Sequence, residues 1–266
     1  MGRRLGQHFL NDKKILAAIA REALSANNCI IEIGPGHGEL TEQLLTLSGE
    51  LQVVAIEKDG ELIPHLSSLQ TKYKNLEIIQ GDVREILPEL TKSSKLKTKN
   101  CTIVGNIPYY LTGYLLRLIG KLAISDPKLI TRVVVVIQKE VAERVCAVAP
   151  HANLLSSIIR GWAEPMIGFA IPRSAFSPPP KVDSALLTLV SNGRVPERTR
   201  SRYFEMVRIV FTHPRKTLAN NLAHGFALTR ARAERIVADL GLPREARGAL
   251  LTPAHLITLA ETLYDK

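Results

Sequence analysis

Cysteine is scarce in this chain and carries no pattern. Cys29, Cys101 and Cys146 are odd in number, far apart and free of any C-x-x-C or Cys/His cluster. That spacing excludes a disulfide framework and a zinc site, and it suits a reducing, cytoplasmic setting. Long hydrophobic runs are missing too: the densest, Val133 to Ile137, falls far short of the roughly 20 apolar residues that span a bilayer. No apolar core follows the basic opening MGRRLGQHFLNDKK, and Gly6 stands where a myristoylation motif wants Ser or Thr. Neither a membrane nor a lipid anchor is therefore expected, and no metal is. Internal repeats and low-complexity segments are also absent.

Acidic side chains are in deficit, 25 against 35 Lys and Arg, for a formal charge of +10. The excess is uneven. Residues 191–266 carry 13 basic and 7 acidic side chains, and eleven of the 13 are Arg, the side chain suited to bidentate phosphate contact. A polyanionic partner fits this distribution, because cations that neutralise phosphates release counterions.

What the chain has in abundance is order. Short β-rich apolar runs at Cys29–Ile33, Leu51–Ile56, Leu76–Ile79, Cys101–Val104 and Arg132–Ile137 alternate with helix-like segments, among them Leu111–Leu122 and Lys139–Val148. This alternation predicts a parallel α/β sheet. Thr91–Asn100 has the composition of a surface loop. The Pro-rich stretches at Ile171-Pro172 and Ser177–Pro180 bracket a further loop, and the alternating run Ala185–Val190 predicts one more strand, antiparallel and near an edge. Beyond the linker Ser191–Pro196 the chain reads as helices at Arg200–Phe211, Leu218–His224, Thr229–Leu240 and Pro253–Tyr264. Two domains are expected: 1–192, a catalytic α/β sheet, and 193–266, a small basic helical domain.

Three features carry chemistry. Ile30 to Gly38 places a Gly-rich turn, with Gly34 and Gly36, between a buried strand and a helix, and such a turn lets a ligand approach the backbone. Nineteen residues after Gly38 a second strand ends in Glu57, where a carboxylate can accept both ribose hydroxyls. Together they specify a nucleoside cofactor. The spacing G-x-G-x-G differs from the dinucleotide pattern and disfavours a nicotinamide oxidoreductase. Asp82 follows the third strand; it is placed to accept an adenine amine or to cap a helix. Asn106-Ile107-Pro108-Tyr109 follows the fourth. There an amide oxygen and a backbone carbonyl can take both hydrogens of an exocyclic amine while the Tyr ring supplies a face for a base. These features favour S-adenosylmethionine. Tyr110 and Trp162 are expected to be packing residues, His37 surface, and Lys139 with Glu140 a solvated pair opening a helix. His65, His151, His224 and His255 have no metal-ligand partners at useful spacing.

GQHFL at 6–10, EIGPGHGEL at 32–40, AIEKD at 55–59, NIPY, VIQKEVA at 136–142, FSPPPKVDSA at 176–185 and RKTLANNL at 215–222 occur in the order found in the ribosomal RNA adenine dimethylases. Over nearly its whole length the chain resembles that family, on its small-subunit branch. The resemblance implies a Rossmann-like S-adenosylmethionine methyltransferase sheet with a small C-terminal all-helical domain. It implies a cofactor site lined by His8, Leu10, Gly34, Gly36, Glu57, Asp82 and Asn106, and a transfer centre of Asn106, Pro108 and Tyr109 with Phe176 as a second aromatic against the target base. The implied partner is 16S rRNA or the immature small subunit, met by a monomeric enzyme that dimethylates two adjacent adenines in a hairpin near the RNA's 3′ end. A large-subunit rRNA or DNA adenine methylase and a non-catalytic assembly factor are the rivals.

Overall fold

A computed structural model describes residues 8–24, 29–93, 96 and 100–264. Gly6 and Gln7, and part of the loop expected at Thr91–Asn100, lie outside them. Nine strands run in chain order: β1 (Phe9–Leu10), β2 (Cys29–Ile33), β3 (Gln52–Glu57), β4 (Leu76–Gln80), β5 (Cys101–Asn106), β6 (Ile130–Gln138), β7 (Ala163–Ile171), β8 (Phe176–Ser177) and β9 (Ser184–Ser191). The helices are α1 (Lys13–Leu24), α2 (Glu39–Ser48), α3 (Ile63–Lys72), α4 (Val83–Leu90), α5 (Tyr109–Ser125), α6 (Lys139–Cys146), α7 (Leu154–Trp162), α8 (Arg200–Val210), α9 (Leu218–Gly225), α10 (Arg230–Asp239) and α11 (Pro253–Tyr264). None is long and apolar enough to cross a membrane.

The seven-stranded sheet has the order β4-β3-β2-β5-β6-β9-β7. Pairs β2–β3, β3–β4, β2–β5 and β5–β6 are parallel, and β9 runs antiparallel to β6. Strands buried on both faces need continuous apolar runs, which is how the sequence of β2, β3 and β5 reads. Chain order reverses between β2 and β5, and that switch point opens a crevice beyond the strands' C-terminal ends. The run at 184–191 is antiparallel and near an edge, as expected, beside the edge strand β7, whose own alternation is blurred by Pro165 and Gly168.

A second small sheet escaped sequence reasoning. β1 pairs antiparallel with β8, with Phe9 opposite Ser177 and Leu10 opposite Phe176. Two residues on each side are too short to show periodicity.

The described residues form two compact units: one comprises those up to Glu143 with Pro165–Ser191, the other Arg144–Glu164 with those from Asn192 on. The break after Ser191 falls where the linker was expected, but Arg144–Glu164 belongs with the C-terminal helices and not with the sheet. The reason is packing. Gly161 has no Cβ, and one there would stand 2.3 Å from the ring of Tyr203; the buried Tyr203 hydroxyl donates to the Ser157 carbonyl at 2.9 Å. Within this unit Glu164 pairs with Arg160 and Arg194, Glu234 with Arg230 and Arg244, and Glu261 with Arg198, so part of the basic excess is neutralised internally.

In the first unit β5 runs tight against β2. A Cβ on Gly105 would stand 2.4 Å from the Ile33 carbonyl oxygen, a backbone atom that cannot rotate away. Gly105→Ala should therefore cost at least about 1–3 kcal/mol, the scale of overpacking, and displace neighbouring Asn106. Urea unfolding measures it, and a midpoint equal to wild type would refute the close approach.

Candidate functional site

Four consecutive parallel strands deliver four polar turns to one side of the sheet. β2 leads into Gly34, β3 ends in Glu57, β4 leads into Gly81-Asp82 and β5 ends in Asn106. They line a cleft of about 910 Å³, open to solvent, together with His8, Phe9, Lys58, Arg84, Pro108, Tyr109 and Tyr110.

The glycine turn is held by backbone and carboxylate. The Gly34 N–H donates to the Ile56 carbonyl at 3.0 Å and the Gly38 N–H to the Pro35 carbonyl at 2.9 Å. Gly36, at φ 63, donates its N–H to Glu57 Oε2 at 3.1 Å and has the Phe9 ring 3.0 Å from where a Cβ would stand. The left-handed backbone and the ring together reserve this position for glycine. Glu57 is 3% exposed, and its other oxygen accepts the Asp59 N–H at 2.8 Å. Burial pushes its carboxyl upward, while the Asp59 and Gly36 N–H groups pull it down. Each oxygen has taken one of these donors and keeps further acceptor capacity.

Asp82 is the helix cap that one reading of it expected. It caps α4, accepting the Arg84 N–H at 2.9 Å, and it lines the cleft. Its Oδ1 also accepts Arg84 Nε at 2.9 Å, and its Oδ2 accepts Lys58 Nζ at 2.9 Å and Arg84 Nη2 at 2.6 Å. The Arg84 guanidinium, helped by Lys58, holds the carboxyl well below the usual range.

Asn106 is oriented by the N-terminal strap. Its Nδ2 donates to the His8 carbonyl at 2.6 Å, which leaves Oδ1 as the acceptor. His8 Nδ1 donates to the Pro178 carbonyl at 2.7 Å, and the His8 ring lies 5.8 Å from that of Tyr109. The Pro108 carbonyl is drawn into α5, accepting the Leu111 N–H at 2.9 Å. The Tyr109 hydroxyl meets Ser184 Oγ at 3.0 Å, and partial burial raises its pKa.

The structure thus brings together His8, Gly34, Gly36, Glu57, Asp82, Asn106, Pro108 and Tyr109. Phe176 is not among the residues lining this cleft, and Leu10 lines a smaller recess beside it together with Gly34, Gly36 and Asn106. Both are 5% exposed, face one another across β1 and β8, and pack in the hydrophobic core. The reason is the strand pairing: Pro-stiffening predicted a projecting loop, whereas β8 turns the Phe176 ring inward. Tyr110, expected to pack, is 65% exposed at the cleft's rim. Trp162 is buried and His37 exposed, as expected.

Sequence reasoning assigned no role to Lys58, Arg84, Ser184 or Glu32. Glu32 is the one acid in the five-residue apolar strand β2, and that interruption was the available signal. It is 1% exposed, and its Oε2 has no hydrogen-bond partner among the described residues.

Sheet order, glycine turn, terminal acid and Asn106 define a Rossmann-like enzyme of the nucleoside-cofactor, methyltransferase class. A family model described as ribosomal RNA adenine dimethylase matches residues 2–256, and the chain belongs to that family. Proteins called Ribosomal RNA small subunit methyltransferase A from Shouchella clausii and Lactococcus lactis are each 35% identical over 272 residues, covering 98% of this chain and 89% of theirs. The crystal structure of the 23S rRNA methyltransferase ErmE aligns with a TM-score of 0.70 at 26% identity, covering 97% of this chain and 100% of that one. A dimethyladenosine transferase from Plasmodium falciparum shares the fold, with a TM-score of 0.73 at 24% identity over 95% of this chain and 96% of its own.

Burial raises the Glu32 carboxyl to about 8; the Thr41 hydroxyl beside it lowers it, and the carboxylates of Glu57 and Glu39 add to the rise. Ionisation therefore costs the folded state. This site's contribution to stability is complete below the ordinary value of 4.5 and is lost as pH rises through about 8. Wild type should lose stability relative to Glu32→Gln between pH 5 and 8, by about 1 kcal/mol per pH unit. Denaturant unfolding of both proteins across that range checks it; a pH-independent difference contradicts it.

Proposed function

We propose that this chain transfers methyl groups from S-adenosylmethionine to adenine N6 of small-subunit (16S) rRNA, dimethylating two adjacent adenines in a hairpin near the 3′ end during ribosome biogenesis. The observation that carries the reading is Asn106: its Nδ2 is tied to the His8 carbonyl, which leaves Oδ1 as the acceptor, in a cleft that Tyr109 also lines.

The cleft's residues fit the cofactor. Glu57 has a buried carboxylate with acceptor capacity left for two ribose hydroxyls, and the turn at Gly34, with open space where a Cβ would stand, leaves the backbone open to a ligand. Asp82 accepts an adenine amine when Lys58, half-exposed on its outer side, yields one position. When bound, the cofactor supplies an electrophilic methyl group on a sulfonium. The protein's work is positioning. Asn106 Oδ1 and a backbone carbonyl of the same motif take the two N6 hydrogens and so aim the nitrogen lone pair. The Tyr109 ring, fixed through Ser184, supports the extruded base, which must leave any duplex to bring N6 to Asn106.

The basic second unit and the small-subunit relatives support rRNA, on an immature subunit, as the substrate over free DNA, and we take the enzyme to act as a monomer. Its few, unpatterned cysteines, two of them buried, suit the cytoplasm. A non-catalytic assembly factor would have no need of the Asn106 geometry. Mass spectrometry of nucleosides from immature small subunits, large-subunit rRNA and DNA incubated with enzyme and methyl donor tests the assignment; dimethyladenine from another substrate alone, or from none, refutes it.

Glu57→Ala should weaken S-adenosylmethionine binding by about 1–3 kcal/mol, the scale of lost charge-assisted hydrogen bonds, read by calorimetry on a protein whose circular dichroism is unchanged. Unaltered affinity would remove Glu57 from the cofactor site. Tyr109→Ala should lower kcat/KM for methyl transfer by about 5- to 150-fold through lost stacking, with cofactor affinity kept; wild-type efficiency in the folded variant refutes the stacking role.

A further inference from the structure

Among the described residues, the strongly exposed aromatic side chains are Tyr110 at 65% and Tyr114 at 45%, and both stand on α5. The helix buries Thr112, Leu115, Leu116, Ile119, Ala123 and Ile124. Its opposite face carries Tyr110, Tyr114, Arg117 and Lys121, all exposed. Spacings of four, three and four put these on one stripe, about 16 Å long at 1.5 Å per residue. No acidic residue occurs in α5. The stripe begins at the chemistry, since Tyr110 lines the cleft with Asn106 and Tyr109.

Two further observations organise it. Arg84, clamped through two guanidinium nitrogens to Asp82, lies in the electrostatic neighbourhood of both Tyr110 and Tyr114. Arg117 folds back along the stripe, with Nη1 3.6 Å from where a Cβ on Gly113 would stand. The acids of α4, Glu85 and Glu89, sit about 100° and 140° round that helix from Arg84 and so belong to another face.

An exposed ring gains nothing from the core, and two rings interleaved with three cations match the chemistry of unpaired nucleic acid: aromatic faces for bases, guanidinium and ammonium groups for phosphates. We propose that α5 is a track for the unpaired RNA next to the target adenine, with flanking bases stacking on Tyr110 and Tyr114 and the backbone meeting Arg84, Arg117 and Lys121. This rests on the adenine N6 methyltransferase reading and adds the path by which the strand leaves the cleft. A ribosomal protein contact is the competing occupant. The run of cations without a carboxylate on the helix and the direct continuity with the base-holding residues favour RNA.

The test uses the full chain and two substrates, protein-free rRNA and immature small subunits, with a fluorescent single-stranded RNA oligonucleotide as binding probe. Tyr114→Leu keeps apolar bulk and removes the ring; it should weaken oligonucleotide binding about 5- to 150-fold and raise KM for rRNA, while cofactor affinity and melting temperature stay unchanged. Tyr114→Trp should restore binding. Arg117→Gln with Lys121→Gln should reduce the slope of log affinity against log salt by about 1.4, two charges at roughly 0.7 each for a single strand. Wild-type binding and KM in Tyr114→Leu would overturn the track. Failure of Tyr114→Trp to restore binding, or an unchanged salt slope, would overturn it too. A defect confined to protein-bearing subunits would assign the stripe to a protein contact instead. Methylation by wild type alongside indifferent stripe variants sinks only this proposal, whereas wild type with no adenine methylation sinks the reading beneath it.

Discussion

The Glu57 carboxylate is the brace on which the site depends. One oxygen takes the Gly36 N–H from the turn after β2 and the other takes the Asp59 N–H from the turn after its own strand, so a single buried group locks two neighbouring turns in register. Removing a charge from water is costly unless hydrogen bonds compensate, and two backbone donors supply that compensation. Because β2 and β3 are paired parallel through Ile33 and Ile56, the brace sits where the sheet ends. A carboxylate here shapes the glycine turn and faces the cleft at once.

The N-terminal strap makes the other half of the site. β1 is held by only two residues of β8, yet the segment closes on the cleft through the His8 carbonyl, which receives Asn106 Nδ2, and through the Phe9 ring, which covers Gly36. The strap therefore orients the amide and narrows the glycine turn together. Leu10 and Phe176, paired across β1 and β8 and buried in the hydrophobic core, anchor this segment next to His8 and Phe9.

Charge is also distributed by tertiary pairing. In the second unit three glutamates engage five arginines, four of them among those that make the C-terminal quarter basic and the fifth Arg160 of α7. In the first unit Lys58 and Arg84 neutralise Asp82. Net charge counted along a chain therefore overstates what is available to phosphates, and the exposed cations of α5 matter because their own helix carries no acid against them.

Much of this protein was determined by its sequence alone. Five parallel strands and the positions of Gly34, Glu57, Asp82 and Asn106 at their ends were legible because a doubly buried strand must be a continuous apolar run, and turn residues must follow it. The C-terminal helices were legible for the same kind of reason, their periodicity and caps being local. Tertiary structure decided the rest. Two-residue strands have no period to read, so the β1–β8 pairing and the inward turn of Phe176 emerged only from the fold. The placement of residues 144–164 with the second unit depends on Gly161 meeting Tyr203, a contact 42 positions apart in the chain. Tyr110 looked like a core aromatic because hydrophobicity gives a residue's type and not its direction; only the packing of α5 on the sheet turned that ring outward, on the same stripe as Tyr114, Arg117 and Lys121.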